Sequence, residues 1–406
     1  MLLKNGVICD YSQERKADVR IEEGKIAQIG ENLAPKQNER VIECAHKVIM
    51  PAMIDIAYPK NKSLSRKNLE SLTQKALNGG IGSVLLRADT TPRIDTESII
   101  ELILSLDSAL SVHFLPSLAP YKDGRMCEIA SLVSSGARAI CLESANGAQG
   151  YALYKIAQYA QMLEIPIFAS AQDSSLSEGA INEGAVSTRL GLPGIPTIAQ
   201  SMEVARLCEM ARFSKTKWVF DVISEVESLR IIEFFKSTGA QILAQTSIHH
   251  LILSDEDCAG FDTRFKLLPP LKDSATRAFL RDALTSQIDM LTCLQSDSFN
   301  SQKDQVFESA SFGIDAFEIY FALGVEYLVK PGIISLSRFS ELTAKNQARA
   351  LNLAKGGIEC GSDADVIIAD LDSSICVQDA FSPYHGRKLA GKVEQVIIGG
   401  EMRLGK

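Results

Sequence analysis

Apolar and polar positions change rhythm twice along this chain. Over the first fifty residues they alternate, in "LLKNGVICD", "ADVRIEEGKIAQIG" and "ERVIECAHKVIM", with Asn-Gly and Glu-Gly steps inside the runs. A period of two broken by such dipeptides predicts short antiparallel strands. The same texture returns at the far end, in "DADVIIADLD", "SSICVQ" and "VEQVIIGGEMRL". Two β-rich ends of one character predict a single small β-sandwich assembled from residues 1–50 and 356–406.

Between them the period lengthens. Eight short apolar runs, "MIDIA", "IGSVLLRA", "VHFLPSL", "ARAICLE", "PIFASA", "KWVFDV", "QILAQTS" and "MLTCLQS", are separated mostly by amphipathic stretches such as "TESIIELILSLDSA" and "VESLRIIEFFKSTG". Strand and helix in alternation, eight times, predict an α/β fold: a parallel (β/α)8 TIM-type barrel over residues 51–355. A doubly wound open sheet is the alternative, but it would carry a Gly-rich phosphate turn after its first strand, and none occurs. Gly79-Gly80 precedes a strand and reads as the end of a helix. In such a barrel chemistry belongs to the loops where strands end, so the strand exits are the positions to inspect.

Composition narrows the function classes. The chain has 406 residues, a formal net charge of −8, and 46 % hydrophobic against 23 % charged residues. No Lys/Arg-rich block stands out, which argues against a nucleic-acid or anionic-membrane partner. "MLLKNGVICD" lacks the pattern of a signal peptide, and no apolar run approaches the roughly 20 residues that cross a bilayer. The nine cysteines are scattered with no C-x-x-C pair. Reduced thiols in a cytoplasmic protein are therefore expected, with neither a disulfide framework nor a thiolate zinc site.

"VIMPAMIDIAYPKNKSL", "GGIGSVLLRADTTPRIDT", "NEGAVSTRLGLPGIP", "HHLILSDED", "FKLLPPLKD", "NQARALNL" and "GSDADVIIADLD" together resemble the dihydroorotase branch of the amidohydrolase superfamily over nearly the whole chain. The resemblance implies a barrel flanked by a β-sandwich, as the periodicity does independently. It further implies cyclic-amide hydrolysis in pyrimidine synthesis with one or two zinc ions, whose bound water has its pKa lowered from about 15.7 to roughly 7. In that family the metal donors leave strands one, four, five, six and eight. Matched onto this sequence, the two strand-one histidines fall at Ala57 and Pro59, the strand-five histidine at Ser170, the strand-six histidine at Asp221 and the strand-eight aspartate at Leu294. Glu143 is the nearest acid for strand four, with a register that can slip. The substrate-clamping arginine falls at Asn61, and two asparagines fall at Asp89 and Leu268. A methyl, a pyrrolidine ring and an isobutyl group donate nothing to a metal, so no zinc or other cofactor is expected, and an Arg-to-Asn change removes a charge and a bidentate fork together.

Retained motif residues have bland readings. His249 and His250 fall after strand seven and are expected to be a packed, hydrogen-bonded loop pair; Arg189 belongs to the retained "STRLG" segment. His46, His113 and His385 are too dispersed for a shared site, and Ser187 has no nucleophile-elbow context. Gly191, Pro193, Gly194 and Pro196 shape a tight loop, and Met202, Ala205, Leu207 and Cys208 are expected on the core face of the next helix. Ile54 and Ile56 are expected in the barrel core. The resemblance extends to non-catalytic members that assemble with aspartate transcarbamoylase, which makes a hetero- or homo-oligomeric scaffold the leading expectation. A hydrolase with a rebuilt site and a sensor of pyrimidine intermediates are the alternatives.

Overall fold

The computed structural model describes residues 1–107, 109–122, 124–143 and 150–405. All eight apolar runs become strands of one sheet: Met53–Ala57, Ile81–Leu86, His113–Leu118, Ala139–Leu142, Ile167–Ser170, Trp218–Asp221, Ile242–Ser247 and Met290–Thr292. They pair in sequence order and in parallel, for example Ile56 beside Leu85 and Ser170 beside Asp221. The ring closes through a bridge from Ala57 to Gln295. Buried Asp55 reinforces the closure, accepting hydrogen bonds from Thr292 Oγ1 at 2.6 Å and from the Cys293 amide at 2.7 Å. Burial pushes its carboxyl up to about 7, against the pull of these donors.

Side chains sort by strand parity. Ile54, Ile56, Leu85, Ala139, Phe168, Val219 and Met290 form an interior cluster with Ala348, Ala350 and Leu351. Those last residues come from the helical turn Asn346–Ala350 and from Leu351 at its end, under the strand starts, with the Asn346 side chain donating to Asp289 O at 2.7 Å. The alternate residues, among them Val84, Leu86, Ile140, Phe220 and Ala57, join a larger apolar layer together with helical residues such as Leu69 and Leu72. Full burial of each large aliphatic chain contributes about 1.5–3 kcal/mol.

The helices follow their periodicity. Arg66–Asn78 starts at Ser65, whose side chain accepts from the Asn68 amide, and buries Leu69, Leu72, Ala76 and Leu77. It stops at Gly79-Gly80. A Cβ on Gly79 would lie 1.8 Å from Phe317 O, and Gly80 has φ +80°, so only glycine serves at either position. Ile198–Ser214 differs from expectation. Leu207 and Cys208 are buried, but Met202 is 47 % exposed and Ala205 only half-buried. The helix is turned because Gln200 and Glu203 take inward places. Gln200 donates to Val222 O at 3.0 Å and accepts from the Ser224 amide at 2.9 Å.

Strands from both ends of the chain make two further sheets. One orders Lys25–Gly30, Asp18–Glu22, Leu2–Lys4 and Val41–Glu43; the other orders Glu401–Leu404, Lys388–Ile398, Val366–Cys376, Val48–Pro51, Val7–Asp10 and Gln13–Lys16. Leu3, Ile8, Val19, Ile26, Ile49, Val366 and Ile397 share the apolar cluster of this sandwich. The pairing is not wholly antiparallel: Leu2–Lys4 runs parallel to Val41–Glu43, and Val7–Asp10 parallel to Val48–Pro51. Asn5-Gly6 is therefore not a hairpin turn. Asn5 takes φ 61° and carries the chain from one sheet to the other, because Leu3 and Ile8 fill the same core from opposite sides.

Candidate functional site

The strand exits converge on a mouth whose centre is a side chain the sequence reading passed over. Ile54 and Ile56 point into the barrel, and the next residue of that parity is Tyr58, not Ala57 or Pro59. Arg87 leaves strand two with the parity of Leu85, and only 7 % of it is exposed. Its guanidinium carbon lies 5.0 Å from the centre of the Tyr58 ring, and Lys62 Nζ lies 4.4 Å from the same ring. Arg87 Nη1 donates to Asp221 Oδ2, and Arg87 Nε lies 3.9 Å from Asp89 Oδ1. Lys62 pairs with Asp89 in turn, and Arg93 Nη2 lies 3.1 Å from Glu143 Oε1.

The charges in this network settle each other. Burial pushes the Asp89 carboxyl up, but Arg87 and Lys62 outweigh it and hold the group below its ordinary value. Glu143 goes the other way, to about 7, from burial and then from the negative charge of Asp89. Burial works against the Arg87 cation, but its surroundings, the Asp89 carboxylate among them, outweigh burial and hold the group above its ordinary value.

Among the described residues, the strand exits do not fit a zinc ion. Three or four nitrogen, sulfur or oxygen donors must converge at about 2 Å. Ala57, Pro59 and Leu294 supply none, Ser170 supplies one hydroxyl, and the Asp221 carboxylate is engaged by Arg87. Among the described residues no group of three or more His, Cys, Asp or Glu is placed to hold a metal. Glu143 is the last described residue of its loop; positions 144–149, into which the strand-four register could slip, lie outside the described residues. Downstream of Leu294 the nearest acid, Asp297, is held by Lys75 at 2.7 Å. At the substrate positions, Asn61 donates its backbone amide to Asp297 O at 2.8 Å, Asp89 is paired, and Leu268 is 39 % exposed.

The retained motif residues lie apart from this mouth network. His249 and His250 sit on a short helix, Ile248–Ile252, rather than in a loop. His249 Nδ1 is 2.8 Å from Tyr384 Oη, and His250 bonds Ser247 Oγ at 2.7 Å and Pro269 O at 3.1 Å. Burial lowers them to about 3 and about 4. Arg189 pairs with Glu256 at 2.6 Å on the exterior. In the same segment Asn182 accepts from buried Lys272 at 2.9 Å, and Lys272 also pairs with Glu225, which ties the loop to the exits of strands six and seven. Ser187 is used locally, bonding the backbone of Gly184 at 2.9 Å. A cavity of about 520 Å³ lies beside the mouth, between the loops after strand eight, the helix Arg66–Asn78 and the C-terminal sheet, and gathers none of the predicted metal positions.

Sequence reasoning missed Arg87, Tyr58, Lys62 and Asp55. The available signal was "VLLRAD", a charge ending an apolar strand, since a buried charge needs a partner.

A barrel of this topology with a two-ended β-sandwich is the architecture of cyclic amide hydrolases of the amidohydrolase superfamily. It superposes on L-hydantoinase (dihydropyrimidinase) from Arthrobacter aurescens with a TM-score of 0.89 at 19 % identity, covering 100 % of this chain and 96 % of the other. For a D-hydantoinase the values are 0.84 and 20 %, covering 100 % and 95 %. No family model matches the chain. By sequence it is 30 % identical over 417 residues to a dihydroorotase of Ruminiclostridium cellulolyticum, covering 98 % of this chain and 97 % of that protein. It is 29 % identical over 402 residues to a probable dihydroorotase-like protein of Helicobacter pylori, covering 99 % and 97 %. The chain belongs to the dihydroorotase family.

Proposed function

We propose that this chain is a non-catalytic member of its family whose role is assembly, a rigid barrel that docks on and orders a catalytic partner, with aspartate transcarbamoylase as that partner. The observation that carries the reading is the state of the strand exits. Ala57, Pro59 and Leu294 have no donor atoms, and Asp221 is bound to Arg87. Water activation by a metal ion would need a site those residues cannot build. Support for assembly comes from aromatic groups left outside on the helices after strands four to six. Tyr151 is 72 % exposed, Phe213 60 % and Phe234 63 %, and Tyr154 links to Phe213 at 5.3 Å between ring centres. Exposed aromatics of this kind serve as interface anchors.

The test is size-exclusion chromatography of the purified chain mixed with aspartate transcarbamoylase, alongside a dihydroorotate hydrolysis assay of the chain alone. Co-elution without turnover is expected. Separate elution with a fully active transferase removes the scaffold reading, and turnover removes the non-catalytic one. A rebuilt hydrolase site is the second reading, favoured by Glu143, whose carboxyl near 7 suits a general base.

A further inference from the structure

We propose that Arg87 is the resident cation of the barrel mouth, a guanidinium built into the fold that takes the electrostatic place of the family's metal and ties the strand exits together. The proposal rests on the reading of the chain as non-catalytic and adds what replaced the lost centre.

A catalytic metal in such a barrel neutralises acidic ligands and links strands that are distant in sequence. Arg87 does both. From strand two it reaches Asp221 on strand six, lies 3.9 Å from Asp89, and stacks beneath Tyr58 from strand one at 5.0 Å. Asp221 is 6 % exposed and Arg87 7 %, so neither charge is held by bulk water. Arg87 Nε and Asp221 Oδ1 have no hydrogen-bond partner among the described residues, and Asp89 is the further carboxylate beside the guanidinium. Asp89 retains Lys62 as a second partner, whereas among the described residues Asp221 pairs with Arg87 alone. A divalent ion and this guanidinium compete for the same carboxylate, and among the described residues the ion finds too few other donors at the strand exits to win. Arg suits the position because it stays charged when buried and offers a planar fork to several acceptors at once.

Removing one member of a buried pair strands the other, whereas replacing both with apolar groups does not. The test is therefore a melting series on the full chain: wild type, R87M, D221L and the double variant R87M/D221L, each in chelator and in added zinc. Expected are a fall of roughly 5 °C or more in Tm for R87M, recovery of most of that loss in the double variant, and a wild-type Tm unmoved by chelator or zinc. If R87M does not fold, a folded double variant supports the proposal and an unfolded one overturns it. R87M melting like wild type, or stoichiometric zinc uptake by wild type that D221N abolishes, also overturns it. The series reads the role of Arg87 independently of partner binding. Loss of co-elution with the transferase would leave it standing, and a failed melting series would leave the scaffold reading standing.

Discussion

His249 Nδ1 and Tyr384 Oη meet at 2.8 Å, joining the short helix after barrel strand seven to the segment between the last two long strands of the C-terminal sheet. Both residues are fully buried, their rings stack at 5.8 Å between centres, and Tyr327 lies 6.5 Å from Tyr384. Tyr384→Phe keeps the ring and deletes the hydroxyl, which strands a buried imidazole nitrogen. It should cost about 1–3 kcal/mol in urea unfolding with an unchanged m-value. A cost near zero would show that the contact does not couple these segments.

Asp55 is the second stitch. Its carboxylate accepts from Thr292 Oγ1 and from the Cys293 and Ile56 amides. Asp55→Ala abandons these buried donors at the seam between first and last strands and is expected to destabilise by about 2–3 kcal/mol. Amide exchange at Cys293 should accelerate far more than exchange at mid-sheet positions such as Val219. Uniform acceleration across the sheet would mean that Asp55 does not act at the seam.

Lys272 is placed to hold the long excursion between strands five and six. Asn182→Ala removes its 2.9 Å acceptor while leaving Glu225 in place. Global stability should fall by about 1 kcal/mol, while limited proteolysis within residues 171–197 should speed up several-fold. Cleavage that begins elsewhere first would place the anchor of this excursion at another contact.

The two buried histidines set a pH dependence. Unfolded, each binds a proton near 6.5; folded, they do so only near 3 and 4. Between those values the unfolded chain holds more protons, so their contribution makes stability rise with pH and decay as pH falls from 6.5. Asp55 and Glu143, raised to about 7, act in the opposite sense between their unfolded values and 7. His249→Gln should therefore lower the slope of stability against pH between 4.5 and 6 by up to about 1.4 kcal/mol per unit. An unaltered slope in urea titrations would show that His249 protonates in the folded protein.

Much of the fold is legible because it depends on local rhythm. Period two at both ends and eight apolar runs with helices between them describe the layers, since each strand or helix must bury one face whatever its neighbours are. The Asn5-Gly6 step misleads because a turn dipeptide says where the chain bends, not which sheet receives it. Met202 misleads because buried hydrogen bonds of Gln200 outrank the apolar pattern in setting helix rotation.

The sequence by itself determined the barrel, the two-ended sandwich and the lack of donor atoms at Ala57, Pro59 and Leu294, because side-chain chemistry and periodicity are properties of residues and their spacing. Only the tertiary structure decided that Arg87 meets Asp221 and that Tyr58 covers it. Arg87 and Asp221 are separated by 134 positions along the chain, and a charge pair exists only where barrel closure brings strands one, two and six around a single point.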